Sequence, residues 1–221
     1  MNSKDHVKGE ILRCGFVPVI RVADSQVAVR VAEAIRDGGA PLLEITMTVP
    51  GALDVIKQIA RSLGDKVLVG AGTVLDSETA RHAILAGAEF IISPTLDIET
   101  IQLCRRYGKI VMPGALTPSE ILQAWEQGAD FVKVFPADAL GGPSYIRAVK
   151  APLPQVDLVP TGGVDFNTAA DFIRAGASAV GVGSGLIDKK IVVAEDWEQL
   201  SQKTKEFIQV IAAARKGADK H

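Results

Sequence analysis

The sequence predicts a single α/β domain, a closed parallel (β/α)₈ barrel of the TIM type with an additional helix at its N-terminus. Three observations lead there. Short apolar runs alternate with amphipathic stretches eight times. Strand–helix units recur roughly every 20–27 residues, the spacing of a β/α barrel. Four of the helical stretches end in glycine, a small residue and the next apolar run. Periodicity does not demonstrate closure, so an open doubly wound sheet stands as the alternative.

Taken in order, the apolar runs fall at 17–22, 42–47, 67–74, 90–94, 110–114, 131–136, 158–163 and 179–184. Runs of this length suit strands buried on both faces. Between the first two, residues 24–37 place Val27, Ala28, Val31, Ala32 and Ile35 on one helical face. The fifth such helix opens with Thr117-Pro118-Ser119-Glu120, which supplies an N-cap, a first-turn proline and a capping-box glutamate. The recurrent endings are Gly38-Gly39-Ala40, Gly87-Ala88, Gly128-Ala129 and Gly176-Ala177, and they suit left-handed C-caps in tight turns. A last helix covers about 197–215, followed by a frayed polar tail from about 216. No linker or low-complexity stretch divides the chain, so residues 1–221 form one domain.

A length of 221 residues fits one barrel, and 48% hydrophobic residues suffice for a large core. The net charge of −2 is not the basic footprint expected of a protein that binds nucleic acid or an anionic membrane. Cys14 and Cys104 lack metal-ligand spacing and read as reduced core thiols. The segment Met1-Asn2-Ser3-Lys4-Asp5-His6 lacks the apolar stretch of a signal peptide, and no apolar run is long enough to span a bilayer. A soluble cytoplasmic protein is expected. His6 and His221 are terminal and His82 lies in a polar helix, so no zinc pattern exists and metal-free chemistry without a cofactor is expected.

Polar residues inside the strand runs carry the functional argument. Lys133 sits in Phe131-Val132-Lys133-Val134-Phe135-Pro136. A buried ammonium either pairs with a carboxylate or loses its proton more readily and becomes nucleophilic. Neutral lysines form Schiff bases with ketones. The plainer alternative is a structural ion pair, or a stem whose head reaches the strand end. Glu44 lies in Leu42-Leu43-Glu44-Ile45-Thr46-Met47, where period two puts Leu42, Glu44 and Thr46 on one face. It is either half of a structural bridge or a proton shuttle beside the amine, and perturbed groups in separate strands favour the shuttle. Arg21 ends the first run and gives the site a surplus positive charge, suited to a 2-oxo acid whose carboxylate it would hold; alternatively it neutralises Glu44. Thr161-Gly162-Gly163 and Gly183-Ser184-Gly185 follow the seventh and eighth runs, where barrels frequently bind phosphate.

The ordered set Leu43-Glu44-Ile45-Thr46, Val69-Gly70-Ala71-Gly72-Thr73-Val74, Ile92-Ser93-Pro94, Val132-Lys133-Val134-Phe135-Pro136-Ala137, Pro160-Thr161-Gly162-Gly163 and Gly181-Val182-Gly183-Ser184 resembles the 2-keto-3-deoxy-6-phosphogluconate (KDPG) aldolases, also described as 4-hydroxy-2-oxoglutarate (KHG) aldolases. The resemblance runs from about residue 17 to 186. It implies a homotrimeric class I aldolase that splits a phosphorylated sugar acid into pyruvate and glyceraldehyde 3-phosphate. It further implies Lys133 as the Schiff-base lysine and Glu44 as the general acid/base. Thr73 and Arg21 would hold the pyruvyl carboxylate, Pro94 and Phe135 would supply apolar contacts, and Gly162, Gly163 and Ser184 would bind the phosphate. Thr161 resembles the gluconate-type residue, where a galactonate-specific relative would carry valine. One departure is Thr48, at a position where some members have arginine; the strand-one arginine would take over there.

Two competing readings frame these expectations. A metal-free phosphate-binding barrel isomerase would share the glycine loops. A non-catalytic sugar-acid or phosphate sensor would need neither Lys133 nor Glu44.

Overall fold

The computed structural model describes residues 3–64 and 66–218. The chain enters through α1 (Ser3–Cys14), the additional N-terminal helix, and continues into β1 (Phe16–Ile20) and α2 (Ser25–Asp37). It proceeds through β2 (Leu42–Thr46), α3 (Ala52–Leu63), β3 (Leu68–Gly72), α4 (Ser77–Ala86), β4 (Phe90–Ile92) and α5 (Ile98–Arg106). Next come β5 (Ile110–Met112), β6 (Gly114–Ala115), α6 (Pro118–Glu126) and β7 (Val132–Val134). A 3₁₀ turn at Asp138–Leu140 leads to α7 (Pro143–Lys150), β8 (Leu158–Pro160), α8 (Ala169–Arg174), β9 (Val180–Val182), α9 (Lys189–Val193) and α10 (Trp197–Ala218).

The strands form a parallel sheet of six, in the order β5-β4-β3-β2-β1-β9 and curled into a half-barrel, and a parallel sheet of three, β6-β7-β8. The expectation of one continuous eight-stranded ring is corrected to this extent. The cause is visible in the fifth apolar run, which Pro113 splits into β5 and β6. Proline has no N–H for the ladder, and the pairing changes partner across it: β5 pairs with β4, β6 with β7. Strand order follows chain order without the reversal that marks a doubly wound sheet.

Local signals account for the helices. The Asp24 carboxylate accepts the N–H groups of Gln26 and Val27 at 2.8 and 2.9 Å, starting α2. Ala28, Val31, Ala32 and Ile35 of its apolar face are buried, and Val27 is half-buried. Gly39, Gly87, Gly128 and Gly176 all adopt positive φ, so each tight turn uses the conformation only glycine reaches without strain. At the start of α6 the Thr117 hydroxyl accepts from the Glu120 N–H at 3.3 Å, and the Glu120 carboxylate accepts from the Thr117 N–H at 2.8 Å.

Helices cover the outer strand faces. Phe16 of β1 stacks on Phe207 of α10 with ring centroids 5.0 Å apart, and Phe207 meets Phe166 at 4.4 Å. The α10 helix runs through 216–218, three residues into the expected frayed tail; residues 219–221 lie outside the described residues. Cys14 and Cys104 are free and buried, and burial pushes their thiols up to about 11 and about 12. No described helix is long and apolar enough to cross a membrane.

The cap of α6 is exposed and separable from the core. Thr117→Ala is expected to lower unfolding free energy by about 1 kcal/mol in a urea titration. A change below about 0.2 kcal/mol would show that the box contributes nothing.

Candidate active site

Two ionisable side chains lie inside the strands with almost no exposure, Glu44 at 1% and Lys133 at 4%. Glu44 is the central residue of β2, in register with Val19 of β1 and Gly70 of β3. Lys133 is central in β7, opposite Gly114 and Val159. Both side chains belong to strands whose residues are buried throughout, β2 with Leu42, Leu43 and Ile45 and β7 with Val132 and Val134.

Desolvation dominates both groups. Burial lowers the pKa of Lys133, with Arg21 acting the same way and Glu44 opposing. Burial raises the pKa of Glu44, with Lys133 and then Arg21 opposing. Each group is thereby driven toward its neutral form. No direct ion pair joins Glu44 to either Lys133 or Arg21 among the described residues. The structural-bridge alternatives for these residues are therefore not what the geometry contains. Glu44 Oε1 is buried without a hydrogen-bond partner among the described residues. A buried carboxyl oxygen left without a protein partner is uncommon and can accept from or donate to a bound molecule.

Arg21 instead donates from Nη2 to Thr73 Oγ1 at 3.3 Å, which links the ends of β1 and β3. Thr73 has φ +58, a left-handed conformation that a β-branched residue adopts only under constraint. Lys133 Nζ stands 5.0 Å from the centroid of the half-buried Phe135 ring. Pro94 is half-buried at the end of β4, its backbone packed so closely on Gly114 that a Cβ there would meet the Pro94 carbonyl at 2.2 Å. Thr48, at the variable arginine position, is exposed and shares a 2.8 Å hydrogen bond with the Thr46 hydroxyl, so no second guanidinium stands beside Glu44 from that position.

A cavity of about 370 Å³ opens at the strand ends. It gathers six of the sequence-identified residues: Arg21, Phe135, Thr161, Gly162, Gly163 and Ser184. Glu44, Lys133, Thr73 and Pro94 do not line it directly; Arg21 connects to Thr73, and Phe135 to Lys133. Gly162 and Gly163 have φ +98 and +67, and a Cβ on Gly163 would meet Asp138 Cβ at 2.5 Å. The Thr168 hydroxyl donates to the Gly163 carbonyl at 2.8 Å, anchoring this turn to the start of α8. Among the described residues, no group of three or more His, Cys, Asp or Glu is placed to hold a metal ion.

Sequence reasoning missed two structural requirements of the site. Gly72 is one: a Cβ there would lie 1.5 Å from Glu44 Oε1, so the carboxylate occupies the space a side chain would fill. The signal was present in Gly70-Ala71-Gly72, since glycine repeating with period two inside a buried strand marks close approach. Gly181 is the other, because its Cβ would fall 2.3 Å from Thr161 Oγ1.

Comparison with known proteins gives these features a class. A family model described as "Aldolase: KDPG and KHG aldolase" matches residues 7–203. The 2-dehydro-3-deoxy-phosphogluconate aldolase of Treponema pallidum is 33% identical over 199 residues, covering 90% of this chain and 94% of that protein. The 2-dehydro-3-deoxy-6-phosphogalactonate aldolase of Escherichia coli K12 is 36% identical over 172 residues, covering 77% and 83%. A solved KDPG aldolase from Legionella pneumophila, with pyruvate captured as a covalent carbinolamine, superposes with a TM-score of 0.84 at 27% identity, covering 90% of this chain and 97% of that one. The protein is an aldolase, a carbon–carbon lyase on a parallel β/α scaffold. It belongs to the KDPG and KHG aldolase family.

The close fit of Glu44 against Gly72 is testable by a double-mutant cycle. Gly72→Ala should destabilise the protein by about 1–3 kcal/mol through overpacking. In a Glu44→Ala background the same change should cost less than about 1 kcal/mol, because the clashing group is gone. Equal costs in both backgrounds would refute the contact.

Proposed function

We propose that the chain is a class I aldolase that cleaves 2-keto-3-deoxy-6-phosphogluconate to pyruvate and glyceraldehyde 3-phosphate, with 4-hydroxy-2-oxoglutarate as a second substrate. The observation that carries this is the pair of buried groups, Lys133 and Glu44, each biased to its neutral form without a direct ion pair between them. A neutral amine is a nucleophile and a protonated carboxyl is an acid, the two states that imine formation needs at the outset.

The steps follow from those states. The Lys133 amine adds to the C2 ketone to give a carbinolamine. Glu44 supplies the proton with which the C2 oxygen leaves as water, forming the iminium. The Glu44 carboxylate then takes the C4 hydroxyl proton as the C3–C4 bond breaks. Its electrons pass into the iminium, leaving an enamine, and the aldehyde departs. The enamine takes a proton at C3 from Glu44, and addition of water releases pyruvate and restores the amine. Arg21 and Thr73 would hold the carboxylate, Pro94 and Phe135 would flank the reacting carbons, Gly162, Gly163 and Ser184 would receive the phosphate, and Thr161 would face the substrate as the gluconate-type residue. The Arg21–Thr73 hydrogen bond and the lining of the cavity support this division.

The 36% identity to a phosphogalactonate aldolase keeps that substrate as a second reading. Thr161 lines the cavity, and its resemblance to the gluconate-type residue, where a galactonate-specific relative would carry valine, favours the gluconate epimer. We further take the two sheets to close into one barrel within a single domain. The Thr161–Gly181 bridge and the Lys133 N–H bond to Pro113 support closure at the two junctions. A cytoplasmic homotrimer follows the family resemblance.

Borohydride reduction in the presence of pyruvate should leave a stable adduct, mapped to Lys133 by peptide mass spectrometry. Lys133→Ala should lose the adduct and at least about 10³-fold in kcat, and Glu44→Gln about 10²–10⁴-fold. Turnover of the phosphogluconate substrate should exceed that of the phosphogalactonate epimer. An adduct on another lysine, or an active Lys133→Ala variant, would overturn the mechanism.

A further inference from the structure

We propose that Lys189 is the charge-bearing residue of the phosphate end of the site, and that it sets the preference for phosphorylated over unphosphorylated aldehydes. The inference rests on the aldolase reading and assigns a role to a residue outside its motifs. Lys189 opens α9, just after the loop that carries Ser184, and lines the same cavity as Gly162, Gly163 and Ser184. Among the described residues, the charged residues lining that cavity are Arg21 and Lys189, and both are cationic.

Those two cations answer to different parts of a substrate. Arg21 is hydrogen-bonded to Thr73 and acts electrostatically on Lys133 and Glu44, so it belongs to the reacting end. Lys189 lines the cavity from the first position of α9, together with Gly162, Gly163 and Ser184. Glycine N–H groups and a hydroxyl are neutral donors, whereas a phosphate monoester carries nearly two negative charges at neutral pH. Asp138 also packs behind the Gly162–Gly163 turn, with Oδ1 3.1 Å from where a Gly162 Cβ would sit. That carboxylate repels an incoming dianion and increases the need for a counter-charge. The Lys189 ammonium carries no ion pair among the described residues, so it is free to supply one. Its neighbour Lys190 is exposed and does not line the cavity, although its N–H is tied to the Asp188 cap at 2.8 Å.

The test uses aldol addition of pyruvate to glyceraldehyde 3-phosphate and to glyceraldehyde, comparing the ratio of the two kcat/KM values. Lys189→Ala should lower that ratio about 10- to 100-fold, the worth of one charge-assisted hydrogen bond. Lys189→Arg should restore most of it, and raising ionic strength should compress the wild-type ratio toward that of the alanine variant. Lys190→Ala should leave the ratio unchanged. A ratio unaffected by Lys189→Ala, or lowered equally by Lys190→Ala, would overturn the assignment. Absence of a pyruvate adduct at Lys133 in the wild-type protein would instead overturn the aldolase reading beneath it.

Discussion

The architecture depends on the desolvation of one amine. Lys133 is held between Val132 and Val134 in a short strand, where burial outweighs the attraction of Glu44 in setting its proton affinity. Were the carboxylate in direct contact, the pair would be a salt bridge and the amine would stay protonated. Placing Glu44 on β2 and Lys133 on β7, in separate sheets, keeps the two groups coupled through space without that contact. The Glu44 Oε1 atom is left buried with no hydrogen-bond partner among the described residues.

Several backbone features serve this placement. Gly72 gives the Glu44 carboxylate its space, and Gly114 lets the end of β4 approach β6 closely enough to bring Pro94 alongside. Thr73 is held in a left-handed conformation at the end of β3, where its hydroxyl meets Arg21. The surrounding helices make these constraints affordable: rings such as Phe16 and Phe207 lock the outer faces, and the polar groups sit at the strand ends.

Much of this was legible in the sequence. Apolar runs located the strands because a strand buried on both faces tolerates few polar residues, and for the same reason Glu44 and Lys133 stood out. Helix boundaries followed from local chemistry, as at Asp24 and in the Thr117–Glu120 box, where cap and helix are within four residues of each other. Non-local consequences were harder to read. The split at Pro113 depends on which strand each half faces, and the role of Gly72 depends on a side chain from the neighbouring strand. Lys189 is an ordinary exposed lysine by composition, and only the cavity distinguishes it from Lys190. The length of α10 was underestimated because a polar helix end and a polar tail have the same composition.

The most direct measurement is a titration of the Lys133 side chain in the unliganded protein, followed by NMR of ¹³Cε-labelled lysine and assigned with Lys133→Ala. Because burial disfavours the ammonium, the midpoint should fall clearly below the ordinary lysine value of about 10.4. A midpoint at or above that value would mean that this nitrogen keeps its proton through the neutral range, contradicting a resting amine poised to attack a ketone.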